Sequence, residues 1–504
     1  MDSPSLAAVP ATDLLADRSI PRRWAALAAA RPASPALFDD ERGWTTAGEL
    51  EHESRSWAAA MAARGLQRGD RIVMAAAPSS ALVAAHLGAL RLGLVVVPVN
   101  TAYTSRELAH IVGDATPVAV VSDDARCAKL VTGLSARPLV ELALGARCQK
   151  AGPADDEGEL ALDRCEPGDP AMLVYTSGTT GSPKGALLSH GNLLAGALAV
   201  VEAWRWTPED RLVLALPLFH VHGLGVGVHG TLAAGASAVI RRRFAPVDIG
   251  ESITRHHATM LFGVPTMYSR LTGVEELRRL RLCVSGSAPL PAGLHRELAE
   301  RTGQQLLERY GMSETLMNTS NPYDGERRPG TVGLPLPGVE VRLDDLRPDG
   351  AGEVLVRGPN VFGGYLARPE ATAAAFSDGW FRTGDLGSFD EDGYLHLVGR
   401  KAELVISGGY NVYPREVEDV LRCHPAVADA AVVGWPDEEW GEQVVAFVVP
   451  TGSGPATDSL VETLERLMAE QLAFYKRPKQ IHLTAELPRN ALGKVVKSAL
   501  KPTG

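Results

Sequence analysis

The chain has 504 residues, of which 45% are hydrophobic and 22% charged, so it can bury a large core and form more than one domain. Its formal net charge of -10 at pH 7 argues against nucleic-acid binding, because such surfaces carry clustered positive charge. The five cysteines are scattered and include no CxxC pair, which argues against zinc and disulfides. Because no basic leader opens the chain and the longest apolar tract is broken by proline and histidines, we expect a cytoplasmic protein that does not enter membranes.

The first 330 residues alternate short apolar runs with runs rich in alanine and leucine. Strand-like segments are RIVMAAA (71 to 77), LVVVPVN (94 to 100) and PVAVVSD (117 to 123), and SALVAAHLGALRLG between them is helix-like. This alternation predicts βαβ units, in which mostly parallel sheets are covered by helices.

The sequence changes character after residue 330. GVEVRLDDL, GEVLVRG and GYLHLVGR predict a smaller β-rich subdomain that ends near Gly399. The last hundred residues predict an α+β unit, with helices at PREVEDVLRCH and SLVETLERLMAEQLA and strands at AVADAAVVGW and EQVVAFVVP. We therefore predict an α/β fold with a large amino-terminal domain over residues 1 to 399 and a small carboxy-terminal domain over residues 400 to 504.

A glycine- and hydroxyl-rich segment, YTSGTTGSPKG (175 to 185), follows the apolar run AMLV. Its backbone N–H groups, its hydroxyls and Lys184 are groups that can hold a polyphosphate. It is not a P-loop, because the P-loop lysine follows glycine and opens a helix, whereas Lys184 follows Pro183. Taken alone, the segment could also be a Ser/Thr/Gly linker.

Three shorter motifs follow in the chain. In ERYGMSET (308 to 315), Glu314 could bind Mg²⁺ and Tyr310 could stack on a base, although a helix cap and a core aromatic are equally good interpretations. In WFRTGDLG (380 to 387), Asp385 lies in a glycine-flanked turn where its carboxylate could accept ribose hydroxyls. In PRNALGKV (488 to 495), Lys494 follows a turn, a position where lysines are usually solvent-exposed.

In this order, and together with GRKAELVISGGYNVYPREVE, the motifs resemble the acyl-adenylate-forming superfamily of acyl-CoA synthetases, luciferases and nonribosomal adenylation domains. The resemblance implies an AMP-forming acid–thiol ligase that uses ATP, Mg²⁺ and coenzyme A, acts on small molecules and has no fused carrier domain. In that family the carboxy-terminal domain swings about a hinge near Arg400. Ala402 stands where the family usually has Lys or Asp, so the contacts of this hinge are an open question.

The resemblance also assigns roles to individual residues. Lys494 would bridge the reacting carboxylate and the α-phosphate, and Glu314 with Thr176 would hold Mg²⁺. His220 would join these three in the catalytic set and gate the acyl pocket. The nucleotide and coenzyme A would contact Thr176, Ser177, Gly178, Thr179, Thr180, Lys184, Ser287, Ala288, Pro289, Glu308, Tyr310, Gly311, Met312, Ser313, Asp385, Arg400, Gly408, Gly409 and Tyr410.

Four segments resemble a narrower group, the malonyl-CoA synthetases: PLFHVHGLG (217 to 225), VPTMYSRL (264 to 271), RLCVSGSAPLP (281 to 291) and ERYGMSETLMNTSNPYDGERRPGTVG (308 to 333). The resemblance implies that Arg270 and Ser287 hold the distal carboxylate of malonate, with His222 nearby. Val221 and Met312 would set the pocket size and decide whether methylmalonate fits. Physical chemistry agrees, because a buried carboxylate needs a hydrogen-bonded cation and arginine offers two parallel donors.

Other interpretations of these residues stay open. MLFGVPTMYSRL (260 to 271) predicts a helix with proline in its first turn, and Arg270 at the edge of its apolar stripe could face solvent. Val221 and Met312 could be ordinary core residues. The histidines of HVHG would share a face of a strand and could suggest a metal, but no third ligand is evident. A ligase for a medium-chain or aryl acid is the alternative function.

Overall fold

We describe a computed structural model of the chain. It covers residues 5 to 7, 13 to 145, 161 to 176, 183 to 348, 350 to 407, 410 to 437, 441 to 452, 457 to 472, 474 to 490 and 493 to 501. The predicted segment 177 to 182 and the glycines at 408 and 409 lie outside these ranges. Within them, no helix combines the length and apolar character needed to cross a bilayer.

The first third of the chain alternates strands and helices as predicted. Its elements are β1 (Ser5–Ala7), α1 (Ile20–Ala30), β2 (Pro35–Asp39), β3 (Gly43–Thr46), α2 (Ala47–Ala62), β4 (Arg71–Ala75), α3 (Ser80–Leu92), β5 (Val95–Pro98), α4 (Ser105–Ala115), β6 (Ala119–Ser122), α5 (Ala125–Leu134) and β7 (Val140–Ala143). Helix α3 shows why the boundaries fall where they do. Ser79 Oγ accepts a hydrogen bond from Leu82 N at 3.2 Å, and Gly93 ends the helix at φ 77°, a conformation that glycine adopts without strain.

The second segment contains most of the predicted site. Its elements are β8 (Pro170–Thr176), β9 (Lys184–Ser189), α6 (His190–Ala203), β10 (Arg211–Leu214), a π-helix (His222–Val228), α7 (His229–Ala234), β11 (Ser237–Ile240), α8 (Pro246–Arg255), β12 (Met260–Gly263), α9 (Pro265–Tyr268), a 3₁₀ turn (Glu275–Arg279), β13 (Leu282–Ser285), α10 (Ala292–Thr302), β14 (Leu307–Tyr310), β15 (Thr319–Ser320) and β16 (Leu334–Pro335).

Two sheets form the body of the protein. One has the strand order β7-β6-β4-β5-β8-β9, parallel except for the β8–β9 pair, and the other has the order β16-β15-β14-β13-β12-β10-β11-β2-β3, parallel from β14 to β2. Their central strands are continuous apolar runs because helices cover both faces, and Ile72, Val96 and Leu261 are fully buried. The prediction of parallel sheets flanked by helices is confirmed.

The later elements form two further sheets. They are β17 (Glu340–Asp344), β18 (Gly352–Arg357), α11 (Pro369–Ala375), β19 (Phe376–Ser377), β20 (Trp380–Phe389), β21 (Leu395–Arg400), a 3₁₀ turn (Lys401–Glu403), β22 (Val405–Ser407), β23 (Tyr410–Val412), α12 (Pro414–Arg422), β24 (Val427–Asp437), β25 (Gly441–Pro450), α13 (Thr457–Gln471), a 3₁₀ turn (Phe474–Lys476), β26 (Gln480–Leu483) and a 3₁₀ turn (Lys497–Ala499). Strands β1 and β17 to β21 form an antiparallel sheet, whereas β22 to β26 form a mixed sheet. The β-rich and α+β regions therefore follow the prediction.

Three local expectations differ from the structure. Asp385, expected in a glycine-flanked turn, lies within β20, where it pairs with Arg400 of β21. The HVHG segment is not a strand: His222 begins a π-helix in which a Cβ at Gly223 would lie 2.3 Å from the Pro217 carbonyl oxygen, so the close packing depends on glycine. The helix predicted from Pro265 starts there but ends at Tyr268. The next hydrogen bonds shorten to i→i+3, from Arg270 N to Met267 O at 3.1 Å, and Arg270 therefore lies beyond the helix.

Candidate active site

Strands β14, β20 and β21 assemble a closed network around one carboxylate. The β20–β21 pairing sets Asp385 opposite Arg400, and Arg400 Nε lies 3.0 Å from Asp385 Oδ1. The Tyr310 hydroxyl donates a hydrogen bond to Asp385 Oδ2 at 2.5 Å. Burial raises the pKa of Asp385, while the Arg400 charge and the tyrosine hydroxyl act in the opposite direction. The three residues predicted to bind the nucleotide are thus brought together, and we call this group the nucleotide-side network.

A tyrosine links the phosphate segment to the predicted magnesium ligand. Thr176 and Lys184 face each other at the ends of β8 and β9, on either side of the segment that contains Ser177, Gly178, Thr179 and Thr180. The Lys184 ammonium lies 5.3 Å from the centroid of the Tyr365 ring, and the Tyr365 hydroxyl donates to Glu314 Oε1 at 3.1 Å. Sequence reasoning missed Tyr365, and its place in GGYLARPE gave no recognisable signal.

Glu314 is a buried carboxylate whose surroundings are compatible with cation binding. It is buried, its described side-chain contact is the Tyr365 hydroxyl, and burial raises its pKa. The described residues contain no cluster of three or more His, Cys, Asp or Glu that could hold a metal. One carboxylate fits a Mg²⁺ ion that takes most of its ligands from substrate phosphates and water.

Lys494 lies where the nucleotide side and the acyl side meet. Lys494 is exposed to solvent, yet the surrounding protein atoms are numerous enough that partial desolvation is the main cause that lowers the pKa of its ammonium group. The charges of Arg400 and Arg309 lower this pKa further, and those of Asp385 and Glu314 raise it. Its charge also contributes to lowering the pKa of His220 to about 4, for which burial is the larger cause. The described position of Lys494 is therefore close to groups on both sides of the cleft.

The acyl side is built around a buried histidine. His222 Nδ1 lies 3.1 Å from Ser287 Oγ, and its ring stacks against Phe262 with the centroids 6.5 Å apart. Ser287 adopts φ 69°, a left-handed conformation that orients its side chain in the segment after β13. Burial lowers the pKa of His222 well below its ordinary value, so the imidazole is neutral at pH 7. Its Nε2 atom has no hydrogen-bond partner among the described residues.

The other predicted acyl residues lie near the core surface. Val221 and Met312 are partly buried and pack against the main hydrophobic core, as both of the interpretations above allow. Gly311 is close-packed, because a Cβ there would lie 2.0 Å from the Leu316 carbonyl oxygen. His220 Nε2 is buried without a hydrogen-bond partner among the described residues.

Arg270 is exposed, and its guanidinium lies 5.0 Å from the centroid of the Phe244 ring. No hydrogen bond or ion pair connects its side chain to another residue that the structure describes. The structure therefore brings Ser287 to His222 but does not bring Arg270 into contact with them. The predicted role of Arg270 stays a prediction.

The remaining predicted residues surround the segment between β13 and α10. Glu308 is buried, its Oε1 accepts a hydrogen bond from Leu290 N at 3.0 Å, and burial raises its pKa to about 7. Ala288 and Pro289 are exposed and Ser313 is half-buried. Tyr410 begins β23, and the predicted coenzyme A residues Gly408 and Gly409 lie outside the described ranges.

Charged contacts flank the predicted hinge on both sides. Lys401 Nζ lies 3.1 Å from Oδ2 of Asp345, which follows β17, and 3.0 Å from Oε2 of Glu353 in β18. On the other side, Glu403 pairs at 3.0 Å with Lys497, near the end of the chain. Ala402 stands between Lys401 and Glu403 in the chain and takes part in neither contact.

A carboxylate held by a tyrosine and an arginine, a second buried carboxylate and a lysine are groups that an adenylate-forming enzyme requires. A family model described as AMP-binding enzyme matches residues 24 to 366, and one described as the AMP-binding enzyme C-terminal domain matches residues 416 to 494. The chain belongs to this family of adenylate-forming enzymes. Within it, the chain is an AMP-forming acid–CoA ligase, as its relatives show.

Three relatives illustrate the range of similarity. Malonate–CoA ligase of Arabidopsis thaliana is 37% identical over 487 residues, which cover 87% of this chain and 78% of the relative. Sulfoacetate–CoA ligase of Cupriavidus necator is 36% identical over 485 residues, which cover 93% and 94%. The crystal structure of ATP-bound MatB from Rhodopseudomonas palustris matches with a TM-score of 0.87 and 40% identity, over 95% of this chain and 98% of that one. Relatives of similar identity include ligases named for other acids, such as feruloyl-CoA synthase.

Proposed function

We propose that the enzyme activates malonate with ATP and transfers the malonyl group to coenzyme A. The observation that carries the proposal is the contact between the buried His222 and the half-buried Ser287, which offers neutral polar groups where an aliphatic or aromatic chain would need an apolar wall. Relatives named for malonate and for sulfoacetate support it, because both acids carry a second anionic group.

In the first step a malonate carboxylate oxygen attacks the α-phosphorus of ATP, and pyrophosphate leaves with the electrons of the broken P–O bond. Lys494 neutralises the charge that develops between the carboxylate and the α-phosphate. Asp385, held by Arg400 and Tyr310, takes the ribose, and Lys184 takes the phosphates. Mg²⁺ held by Glu314 and Thr176 would neutralise the leaving pyrophosphate.

In the second step the sulfur of coenzyme A attacks the malonyl carbonyl carbon and AMP leaves. A rotation of the carboxy-terminal domain, residues 400 to 504, removes Lys494 and brings the 408 to 410 segment to the cleft. Arg270 closes on the distal carboxylate of malonate, which Ser287 and His222 also contact. Val221 and Met312 set the room beside the malonate methylene and so decide the acceptance of methylmalonate.

A pyrophosphate-release assay with malonate, methylmalonate, acetate, octanoate and benzoate tests the substrate. We expect malonate to give the highest kcat/KM and acetate to be rejected by about 10⁴-fold, as sites that recognise a polar group reject analogues without it. The Lys494→Ala variant provides the background rate. A higher kcat/KM for octanoate or benzoate would replace this proposal with a medium-chain or aryl acid ligase.

A further inference from the structure

Arg309 is a buried arginine on the acyl side to which neither the motifs nor the resemblance assigns a role. It lies on β14 between Glu308 and Tyr310, and because side chains alternate along a strand it points away from the face that carries those two residues. The residue is 5% exposed, and its Nε and Nη2 atoms have no hydrogen-bond acceptor among the described residues. A permanently charged group with unused donors therefore lies inside the protein.

The guanidinium lies directly against the turn that carries Ser287. A Cβ placed on Gly286 would lie 2.5 Å from Arg309 Nε and 2.5 Å from Cζ, so only glycine permits this contact. The next residue, Ser287, has the left-handed φ of 69° and contacts His222 Nδ1. Arg309 thus packs directly against the Gly286–Ser287 turn.

The charge of Arg309 reaches the substrate side of the cleft. It is one of the causes that lower the pKa of His222 and of Lys494. Burial lowers the pKa of Arg309 itself to about 10, so the guanidinium stays protonated at neutral pH. Among the described residues, Tyr268 is the group whose charge acts on it, and Tyr268 is neutral at this pH because burial raises its pKa.

Another buried arginine of this chain shows what a purely structural role requires. Arg91 is also fully buried, but it pairs with Asp163 at 3.0 Å and with Glu51. Burying a charge is costly unless a partner of opposite charge compensates it. Arg309 has no such partner among the described residues, which leaves its charge free to interact with an anion that binds beside the Gly286–Ser287 turn.

We propose that Arg309 is a specificity residue that selects acids carrying a second anionic group, because that group neutralises the charge of the buried guanidinium. It acts through its electrostatic potential and by positioning the Gly286–Ser287 turn. The inference rests on the proposed function only in placing the acyl end beside Ser287 and His222. The substrates selected in this way are short dianionic acids, a class that includes malonate and sulfoacetate.

The test compares malonate with 3-methylbutanoate, in which two methyl groups replace the distal carboxylate oxygens. We expect Arg309→Met to lower the ratio of their kcat/KM values by about 10²-fold, mainly through malonate, while Arg309→Lys keeps most of the ratio because it keeps the charge. Arg328→Met is the matched control, since Arg328 pairs with Asp390 and Asp392 at the surface, and it should leave the ratio unchanged.

The outcomes separate this inference from the proposed function. A preference of the unmodified enzyme for sulfoacetate over malonate would refute malonate as the substrate but support the selection of dianionic acids. Equal losses for malonate and 3-methylbutanoate in Arg309→Met would show a merely structural role and refute the inference. If Arg309→Met does not fold, the ratio in Arg309→Gln, which removes the charge but keeps donors, decides in the same way.

Discussion

The Asp385 network on the nucleotide side and the residues around His222 on the acyl side satisfy their polar groups in opposite ways. On the nucleotide side, Asp385 receives a hydroxyl and a guanidinium, and both partners are contributed by the protein itself. On the acyl side, His222 Nε2, His220 Nε2 and two nitrogens of Arg309 are buried without a partner among the described residues. Unpaired buried polar groups are costly, and where several of them lie together beside a cleft, a bound ligand or water can supply the missing partners.

The difference indicates where substrate selection takes place. A network that is complete without its ligand can hold ATP in every member of a family, whatever the acid. A set of incomplete donors favours the acid that completes it and penalises one that does not, because the unused donors then stay desolvated. We therefore expect substitutions on the nucleotide side to affect all acids alike, and substitutions on the acyl side to change the preference among acids.

The largest effect is expected at Lys494, which belongs to both sides. Lys494→Ala should reduce malonate-dependent exchange between ATP and pyrophosphate by about 10³-fold, because the charge between the carboxylate and the α-phosphate is no longer neutralised. Formation of malonyl-CoA from supplied malonyl-AMP should stay within a few-fold of the original rate. Lys129→Ala, which removes an exposed lysine on α5, is the control. Loss of both half-reactions would contradict the assigned role.

A smaller and more selective effect is expected at Arg270. Arg270→Ala should lower kcat/KM for malonate by about 10²-fold, equivalent to about 3 kcal/mol, while KM for ATP changes little. The exposed guanidinium must move toward the substrate. The rate of malonate binding should therefore depend on solvent viscosity, and bound malonate should protect the backbone amides of this region from hydrogen exchange. Malonate kinetics that equal those of the unmodified enzyme would assign carboxylate recognition to Arg309, Ser287 and His222 alone.

On the nucleotide side, Asp385→Asn should raise KM for ATP about tenfold. The amide preserves the shape but loses the ion pair with Arg400 and weakens the contact to the ribose. The ratio of kcat/KM for malonate over 3-methylbutanoate should not change, which separates this variant from those on the acyl side. Asp390→Asn, at a surface carboxylate paired with Arg328, provides the control.

The nucleotide side could be predicted from the sequence, whereas the acyl side could be predicted only in part. Tyr310, Glu314 and Asp385 lie within short contiguous motifs whose spacing is visible in one dimension. Arg309 stands in one of those motifs, and its charged position inside a short buried strand was the available signal. The lack of acceptors for its guanidinium nitrogens depends on packing against Gly286, which the sequence alone does not specify.

The local backbone of the acyl side was also beyond sequence reasoning. Alternation of histidines in HVHG suggested a strand, but three glycines in GLGVG allow the tight packing of a π-helix instead. The contact of Lys184 with Tyr365 joins residues 181 positions apart in the chain, and nothing local specifies it. Long-range packing therefore decided the features that periodicity missed.

The acyl side should also be visible in the pH dependence of stability. The pKa of His220 is about 4 in the folded protein and about 6.5 when unfolded, so between these values the unfolded state binds more protons. Protonation of His220 should therefore cost no stability above pH 6.5, and the free energy of unfolding should fall as the pH decreases from 6.5 toward 4. His220→Asn removes this contribution, and its slope against pH should be smaller by up to about 1.4 kcal/mol per pH unit. Urea unfolding at several pH values measures both slopes, and equal slopes would show that His220 is not held neutral.

The smallest effect is expected at the hinge, where the nucleotide-side sheet continues into the carboxy-terminal region. Lys401→Ala removes contacts to Asp345 and Glu353 in the conformation that brings Lys494 to the cleft. Because Lys401 is exposed and the buried Glu353 keeps its ion pair with Arg382, the loss should be less than about 1 kcal/mol, and the adenylation rate should fall only a few-fold relative to thioester formation. Glu403→Ala loses a contact to Lys497, which lies on the same side of Ala402 as Glu403, so that contact should persist through a rotation about Ala402. The ratio of the two half-reaction rates should thus change in Lys401→Ala alone, and an equal change in Glu403→Ala would move the pivot away from Ala402.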